Sequence, residues 1–282
     1  ACLLGAAKIL SENRDAFSGK VRLVFQPGEE IGKGAKPFVA AGVLDGAERV
    51  FGLHTAYDLE AGTVGLKPGI NNAAVDHFRI RVHGKSTHVS TPHLGVDALY
   101  IASQIVVAVQ GLVTRRTSPT EPVIIGIGKL NAGTTYNAVA AFAEMEGTTR
   151  TISQESRDRV RAQVSETAQS IAALYGGTAE VEWTDFAAAL VNDPQVCEEA
   201  ARVVDELLGA GHVVTDRELS LSGDNFAEFE LYKPGAYAYL GTGNPDLPHT
   251  MITNHNGGFD VDENALVTGA GLYVGYTVAR LG

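Results

Sequence analysis

The stretch from Val75 to Phe186 constrains the fold more than any other part of the chain, because its hydrophobic period switches repeatedly between two and 3.6. "VDHFRIRVHG" (75–84) sets Phe78, Ile80 and Val82 against Arg79, Arg81 and His83, the alternation of a half-buried strand. "VDALYIASQIVVAVQGLVTR" (96–115) carries a helical apolar stripe. "VIIGIGKLN" (123–131) and "AFAEMEGTTR" (141–150) again read as strands. "SQESRDRVRAQVSETAQSIAALYG" (153–176) reads as a helix capped by Ser153, and "AEVEWTDF" (179–186) as a closing strand. The order β-α-β-β-α-β predicts a ferredoxin-like unit, self-contained at about 110 residues.

The flanks predict a different layer. "ACLLGAAKIL" is helical from its first residues, with Leu3, Leu4, Ala7, Ile9 and Leu10 as apolar positions and no capping residue before them. "KVRLVFQP" alternates Val21, Leu23 and Phe25 and predicts a strand; 35–46 predicts a short helix and "ERVFGLHT" (48–55) another strand. After the insert come a helix over 193–209, a strand over 235–243 and a helix over 263–281. This alternation implies an α/β layer with a largely parallel sheet. The expected architecture is one α/β domain, residues 1–72 and 187–282, interrupted by a ferredoxin-like unit over 73–186. With 282 residues, 45% of them hydrophobic, the chain has enough apolar material for such cores.

A formal net charge of −11 argues against phosphate-backbone binding, which needs clustered Lys and Arg. It fits a small-molecule or metal partner. Two cysteines, Cys2 and Cys197, are too few for a disulfide framework, so a reducing, cytoplasmic setting is expected. No uninterrupted apolar run approaches the ~20 residues of a bilayer span, so no membrane partner is expected.

"FQPGEEIGKG" (25–34) then raises a chemical question, because Glu29 and Glu30 stand side by side after a Pro-Gly turn. Ligands of an open α/β sheet collect beyond the carboxyl ends of strands. Glu29 and Glu30 follow one predicted strand, His54 ends the next, and His255 lies in a loop after a third. Carboxylate oxygen with imidazole nitrogen suits Zn²⁺, with Mn²⁺ or Co²⁺ as alternatives. A second adjacent carboxylate can take a proton from water that a metal has acidified. On an extended backbone the two neighbours would point to different sides. Taken singly, each feature also has an ordinary reading: a solvated charge pair, a packed histidine, a loop histidine.

In order along the chain, "FQPGEEIGKGAKPFVAAGVLDG", "FGLHT", "GKSTHVSTPHLGVDAL", "NAGTTYNAV", "EGTTRT" and "NHNGGFDVDENAL" resemble the M20 metallopeptidases. Their amidohydrolase branch, which hydrolyses N-acyl, hippuryl and indoleacetyl amino acids, is the most similar. The resemblance implies a zinc-peptidase-like domain binding two divalent ions, with a ferredoxin-like lid through which such enzymes dimerise. It implies a small N-acyl amino acid as substrate. It implies Glu29 as general base, Glu30, His54 and His255 as metal ligands, and His88 as a lid histidine supporting the oxyanion in a neighbouring subunit. Asn137 and Arg150 are implied as binders of the substrate carboxylate. The loops "SGD" (222–224) and "GTGN" (241–244) match family loops near the cleft; alone they are turns.

Two departures stand out. Where the family often has Pro-Asp after the lid asparagine, this chain reads "NAVAAFAEMEG". The family's His-Ala-Cys-Gly-His-Asp-x-His-Thr segment, which supplies further ligands, precedes the helix matched here by "ACLLGAAKIL". The resemblance therefore implies a chain lacking that segment, an incomplete metal shell, and Cys2 as a core thiol rather than a ligand. Two rivals follow: an inactive fragment that keeps the lid for dimerisation or binding, and an aminopeptidase or dipeptidase of the same superfamily.

Overall fold

The computed structural model describes all 282 residues. In chain order the elements are α1 (Cys2–Glu12), α2 (Ala35–Ala40), β1 (Val50–Glu60), β2 (Val64–Gly65), β3 (Gly69–Asn72), β4 (Ala74–His83) and α3 (Ala98–Gly111). They continue with β5 (Ile124–Ala132), β6 (Phe142–Thr151), α4 (Gln154–Leu174), β7 (Thr178–Ala187), β8 (Leu190–Asn192) and α5 (Pro194–Leu208). Last come β9 (Val213–Val214), α6 (Ala227–Glu230), β10 (Gly235–Gly243) and α7 (Ala265–Leu281). The chain divides into two compact units. One comprises Ala1–Asn71, Leu190–Leu219 and Asn225–Gly282; the other comprises Asn72–Ala189 and Ser220–Asp224.

In the first unit the main sheet has the order β1-β10-β2-β9. β1 runs parallel to β10 and β2 parallel to β9, but β2 is antiparallel to β10, so the sheet is mixed rather than largely parallel. β2 follows β1 after only a short turn at Ala61–Thr63, too short for the crossover that a parallel return requires. Ala236, Ala238 and Leu240 of β10 are buried, as are Val196, Ala200 and Val203 of α5 and Leu272 and Tyr276 of α7. Phe51 stacks on Tyr276 at 4.8 Å between ring centroids. Cys197 lies in this core, where burial pushes its thiol up to about 12, with Glu230 and Asp193 adding to the shift. Cys2 packs against the same core, and burial raises its thiol too; both cysteines are free.

The predicted strand over Val21–Gln26 is absent. Val21 and Phe25 are exposed to solvent, and none of these residues forms a ladder with another strand. The period-two pattern is present, but a strand is fixed by its partner's hydrogen bonds, and here no partner stands beside it.

The second unit is one antiparallel sheet in the order β5-β6-β4-β7, with β4 central. α3 and α4 cover one face. Phe78, Ile80, Val82, Ala143 and Met145 from the sheet pack with Ile101, Ile105 and Val109 of α3 and Val160, Val164 and Ala168 of α4. Gly147 is required opposite Phe78: a Cβ there would lie 2.2 Å from the ring. Asp97 caps α3 by accepting from the N–H groups of Leu99 and Tyr100, and Ser153 caps α4 by accepting from that of Ser156. The helix from Ala98 to Arg116, whose last turn is π-helical, is by length and composition apolar enough to cross a membrane. The count of uninterrupted apolar residues does not detect it, because Ser103, Gln104 and Gln110 interrupt the run. Ala98, Ile101, Ala102, Ile105 and Val109 instead face the sheet, as in the core helix of a globular unit.

Candidate active site

Glu29 and Glu30 do not sit on an extended backbone. They form a 3₁₀ turn, Glu29–Ile31, between Gly28 at φ 72° and Gly32 at φ 65°. The two left-handed glycines reverse the chain on either side of the turn. Consecutive residues of a 3₁₀ turn project about 120° apart, so the carboxylates still diverge, though for a different reason than expected. Glu29 is half-buried and its Oε1 accepts the backbone N–H of Asn225 at 3.4 Å. Glu30 is exposed, and its Oε2 lies 3.7 Å from Nε2 of His255.

His255 holds φ at 63°, the one residue other than glycine with positive φ. Histidine tolerates this region better than most residues, yet it remains uncommon. The loop carrying it is tied down on its far side. Asn244 Nδ2 donates to Asp262 Oδ2 at 2.7 Å, and the Asp262 N–H donates to the Thr242 carbonyl at 2.9 Å. The Asn244 amide, then the Asn264 N–H, hold the Asp262 carboxyl below its usual range. The "GTGN" loop is thus the anchor of the His255 loop.

His54 lies in the middle of β1, not at its end, because the strand continues to Glu60. Its Nδ1 is 2.7 Å from the Thr55 carbonyl. A carbonyl only accepts, so Nδ1 carries the proton and Nε2 keeps a lone pair, the tautomer a metal ligand needs. The ring also lies 6.0 Å from those of Tyr237 and Tyr239. The donor chemistry fits a divalent ion, and Glu30 with His255 forms a converging pair. His54 does not join them: no three His, Cys, Asp or Glu side chains gather closely enough to hold an ion. Catalytic zinc takes three protein ligands plus an open position, so the pair is two-thirds of such a set.

In the second unit, His88 and Asn137 come together. His88 bridges to Ala138, and the Val89 N–H donates to the Asn137 carbonyl at 3.1 Å. The Ser90 N–H donates to His88 Nδ1 at 3.2 Å, with Ser90 Oγ at 2.7 Å from the same atom. Nδ1 is therefore the acceptor and Nε2–H the outward donor, as an oxyanion would require. Asn137 is exposed, and its Oδ1 accepts from Thr135 Oγ1.

Arg150 is not with them. Val75 pairs with Arg150 at one end of the β4–β6 ladder, and His83 pairs with Phe142 at the other, where the His88 and Asn137 loops begin. At about 3.3 Å per residue these ends are roughly 26 Å apart. Arg150 donates from Nε to the Leu221 carbonyl and from Nη1 to Thr148 Oγ1 and the Thr149 carbonyl. Burial lowers its guanidinium's pKa, with Asp76 opposing.

Two residues that the sequence reading passed over belong to the Glu29 turn. Gln26 Nε2 donates to Asn225 Oδ1 at 2.8 Å, so Asn225 holds the turn at both Gln26 and Glu29. The signal was adjacency alone: Gln26 lies within the Glu29 motif, and Asn225 follows "SGD" directly.

Comparison with known proteins places the chain in a family. A protein of Bacillus subtilis (strain 168) named N-acetyl-L-cysteine deacetylase is 39% identical over 95% of this chain and 62% of its own length. Thermostable carboxypeptidase 1 of Saccharolobus solfataricus is 37% identical over 96% of this chain and 68% of its own. The chain thus spans less than two thirds of the first relative. Among solved structures, the Bacillus subtilis YXEP protein, described as a dinuclear metal binding peptidase of family M20, superposes with a TM-score of 0.82. It is 32% identical, over 99% of this chain and 70% of that one. The family model "Peptidase family M20/M25/M40" matches residues 1–278, and the chain belongs to that family.

Proposed function

We propose that this protein is a metal-dependent amidohydrolase that cleaves the amide bond of N-acyl amino acids. The observation that carries the reading is the divergence of two adjacent carboxylates: Glu30 turns to His255, and Glu29 turns to the backbone N–H of Asn225. One is thereby suited to ligation and the other to proton transfer. The deacetylase name of a relative at 39% identity supports the substrate class, and the dinuclear structural neighbour supports a site for two divalent ions; the carboxylate and imidazole donors suit zinc, manganese or cobalt.

In this reading residues 1–72 and 187–282 form the zinc-peptidase-like catalytic domain, and 73–186 a ferredoxin-like lid. Glu30 and His255, which converge, are metal ligands, and His54, which stands apart from them in this structure, is the proposed third. The ions, when bound, supply Lewis acidity to the scissile carbonyl and to water. Glu29 takes the proton from the attacking water and returns it to the departing amine nitrogen, so the carboxylate is regenerated in each cycle. His88 donates its Nε2–H to the carbonyl oxygen as negative charge develops there. Asn137 and Arg150 bind the substrate carboxylate. Arg150 stands at one end of the β4–β6 ladder and the Asn137 loop begins at the other, and those ends, roughly 26 Å apart, are separated by more than the size of an N-acyl amino acid. A homodimer through the lid accounts for this: His88 and Asn137 serve the partner's site, and Arg150 serves another. The expected setting is the cytoplasm.

The test strips the protein of metal, restores Zn²⁺, Mn²⁺ or Co²⁺, and offers N-acetyl and N-benzoyl amino acids, their methyl esters, and free dipeptides. Metal-dependent release of amino acid from the free acids, with esters poor, supports the reading. Preference for free dipeptides favours the aminopeptidase or dipeptidase rival, and no turnover with any metal contradicts the assignment.

A further inference from the structure

We propose that Asn225 is a positioning residue for Glu29, whose carboxamide N–H is reserved for that carboxylate; this rests on the reading of Glu29 as the base. Asn225 is 1% exposed. Its backbone N–H donates to Glu29 Oε1 at 3.4 Å, a long bond, and its Oδ1 accepts from Gln26 Nε2 at 2.8 Å. Its Nδ2 is buried with no partner. A dry amide donor without an acceptor is costly, and buried polar groups are rarely left so. Aspartate would accept from Gln26 as well, with no orphaned donor. That aspartate would, however, bury a second negative charge beside Glu29, so the neutral amide is the side chain that fits, and its donor is the part the fold leaves unused.

The surroundings fix this residue from both sides. A Cβ on Gly34 would meet the Pro27 carbonyl at 2.0 Å and Gln26 Nε2 at 2.6 Å, so the Gln26 amide is wedged into the turn that carries Glu29. On the other side Phe226 stacks on Tyr237 of β10, with ring centroids 5.0 Å apart and planes at 30°. A Cβ on Gly52 of β1 would meet the Phe226 ring at 2.8 Å. The sheet thus sets Phe226, Phe226 sets Asn225, and Asn225 sets the turn. A second donor from the same rigid residue would hold the half-buried Glu29 carboxylate in one orientation, as proton transfer at hydrogen-bond range requires.

The first variant is Asn225→Asp, which keeps size and the acceptor for Gln26, removes the donor and adds a negative charge; Asn225→Ala removes the donor without that charge, and both are measured. In the metal-loaded protein, with the N-acetyl amino acid it turns over best, kcat should fall by at least about tenfold, with KM within about twofold and bound metal unchanged. In the Glu29→Gln background the same change should add no further loss, because Asn225 acts only through Glu29. Asn225→Ala, which removes the donor without adding a charge, should behave alike and serves if the aspartate variant folds poorly. A wild-type kcat in both variants, or an equal further loss in the Glu29→Gln background, overturns the proposal. Full turnover by Glu29→Gln itself would instead overturn the base assignment, a separable outcome.

Discussion

Glu30 Oε2 lies 3.7 Å from His255 Nε2, and this contact joins the 3₁₀ turn before α2 to the loop after β10. Both side chains are exposed, and His255 holds φ at 63° in the turn that brings it beside the carboxylate. An ion pair so exposed contributes little stability on its own.

If the pair holds one ion, the two residues are coupled through it. Glu30→Gln and His255→Ala should each weaken metal binding by more than the roughly 10–100-fold that outer-shell partners cost. The double variant should lose little more than either single one. Metal titration of the four proteins checks this, and fully additive losses would place the residues at independent sites.

Placement of His88 in the second unit, with its Nε2–H turned outward, predicts complementation. His88→Ala and Glu29→Gln chains, each inactive, should regain activity when mixed, because a hybrid dimer then contains one whole site. Subunit exchange is verified with two different tags. No recovery after exchange would mean that His88 acts within its own chain.

Asp76 and Arg157 form a buried bidentate pair at 2.6 and 2.9 Å between β4 and α4. Both side chains are almost wholly buried. Asp76→Ala should destabilise the protein by about 3–5 kcal/mol, since it leaves a buried guanidinium without its main counter-charge. Urea unfolding measures the loss; a change under about 1 kcal/mol would contradict it.

On the open face of the second sheet, the Lys129 ammonium, followed by His77 and Arg79, holds the Glu146 carboxyl at about 2, below its ordinary 4.5. A depressed folded-state pKa stabilises the fold above the unfolded pKa and is lost as pH falls through the folded one. The stability gap between wild type and Glu146→Gln should therefore be full at neutral pH and shrink from about 4.5 down to about 2. Denaturation midpoints across that range check the sign. A gap independent of pH would remove the carboxylate's charge from the account.

The legible parts of this fold were those in which one residue's neighbours in sequence decide its state. Phe78, Ile80 and Val82 alternate against Arg79 and Arg81, and Ser153 caps its helix through a bond three residues away. Val21, Leu23 and Phe25 alternate as well, yet pair with nothing, because pairing depends on a distant strand. The antiparallel turn at β2 escaped for the same reason. In the site, Glu29 and Glu30 announced themselves by adjacency. Asn225 did not, because it reaches Glu29 through a backbone N–H that every residue but proline possesses.

The central claim is that Glu29 moves the proton while Glu30 binds metal. Its most direct test measures turnover and bound metal together in Glu29→Gln and Glu30→Gln. Glu29→Gln should keep its metal and lose about 10²–10⁴-fold in kcat, the range that a general acid–base group contributes. Glu30→Gln should lose metal and turnover in parallel. Equal metal loss in both variants, or undiminished kcat in Glu29→Gln, would contradict the account.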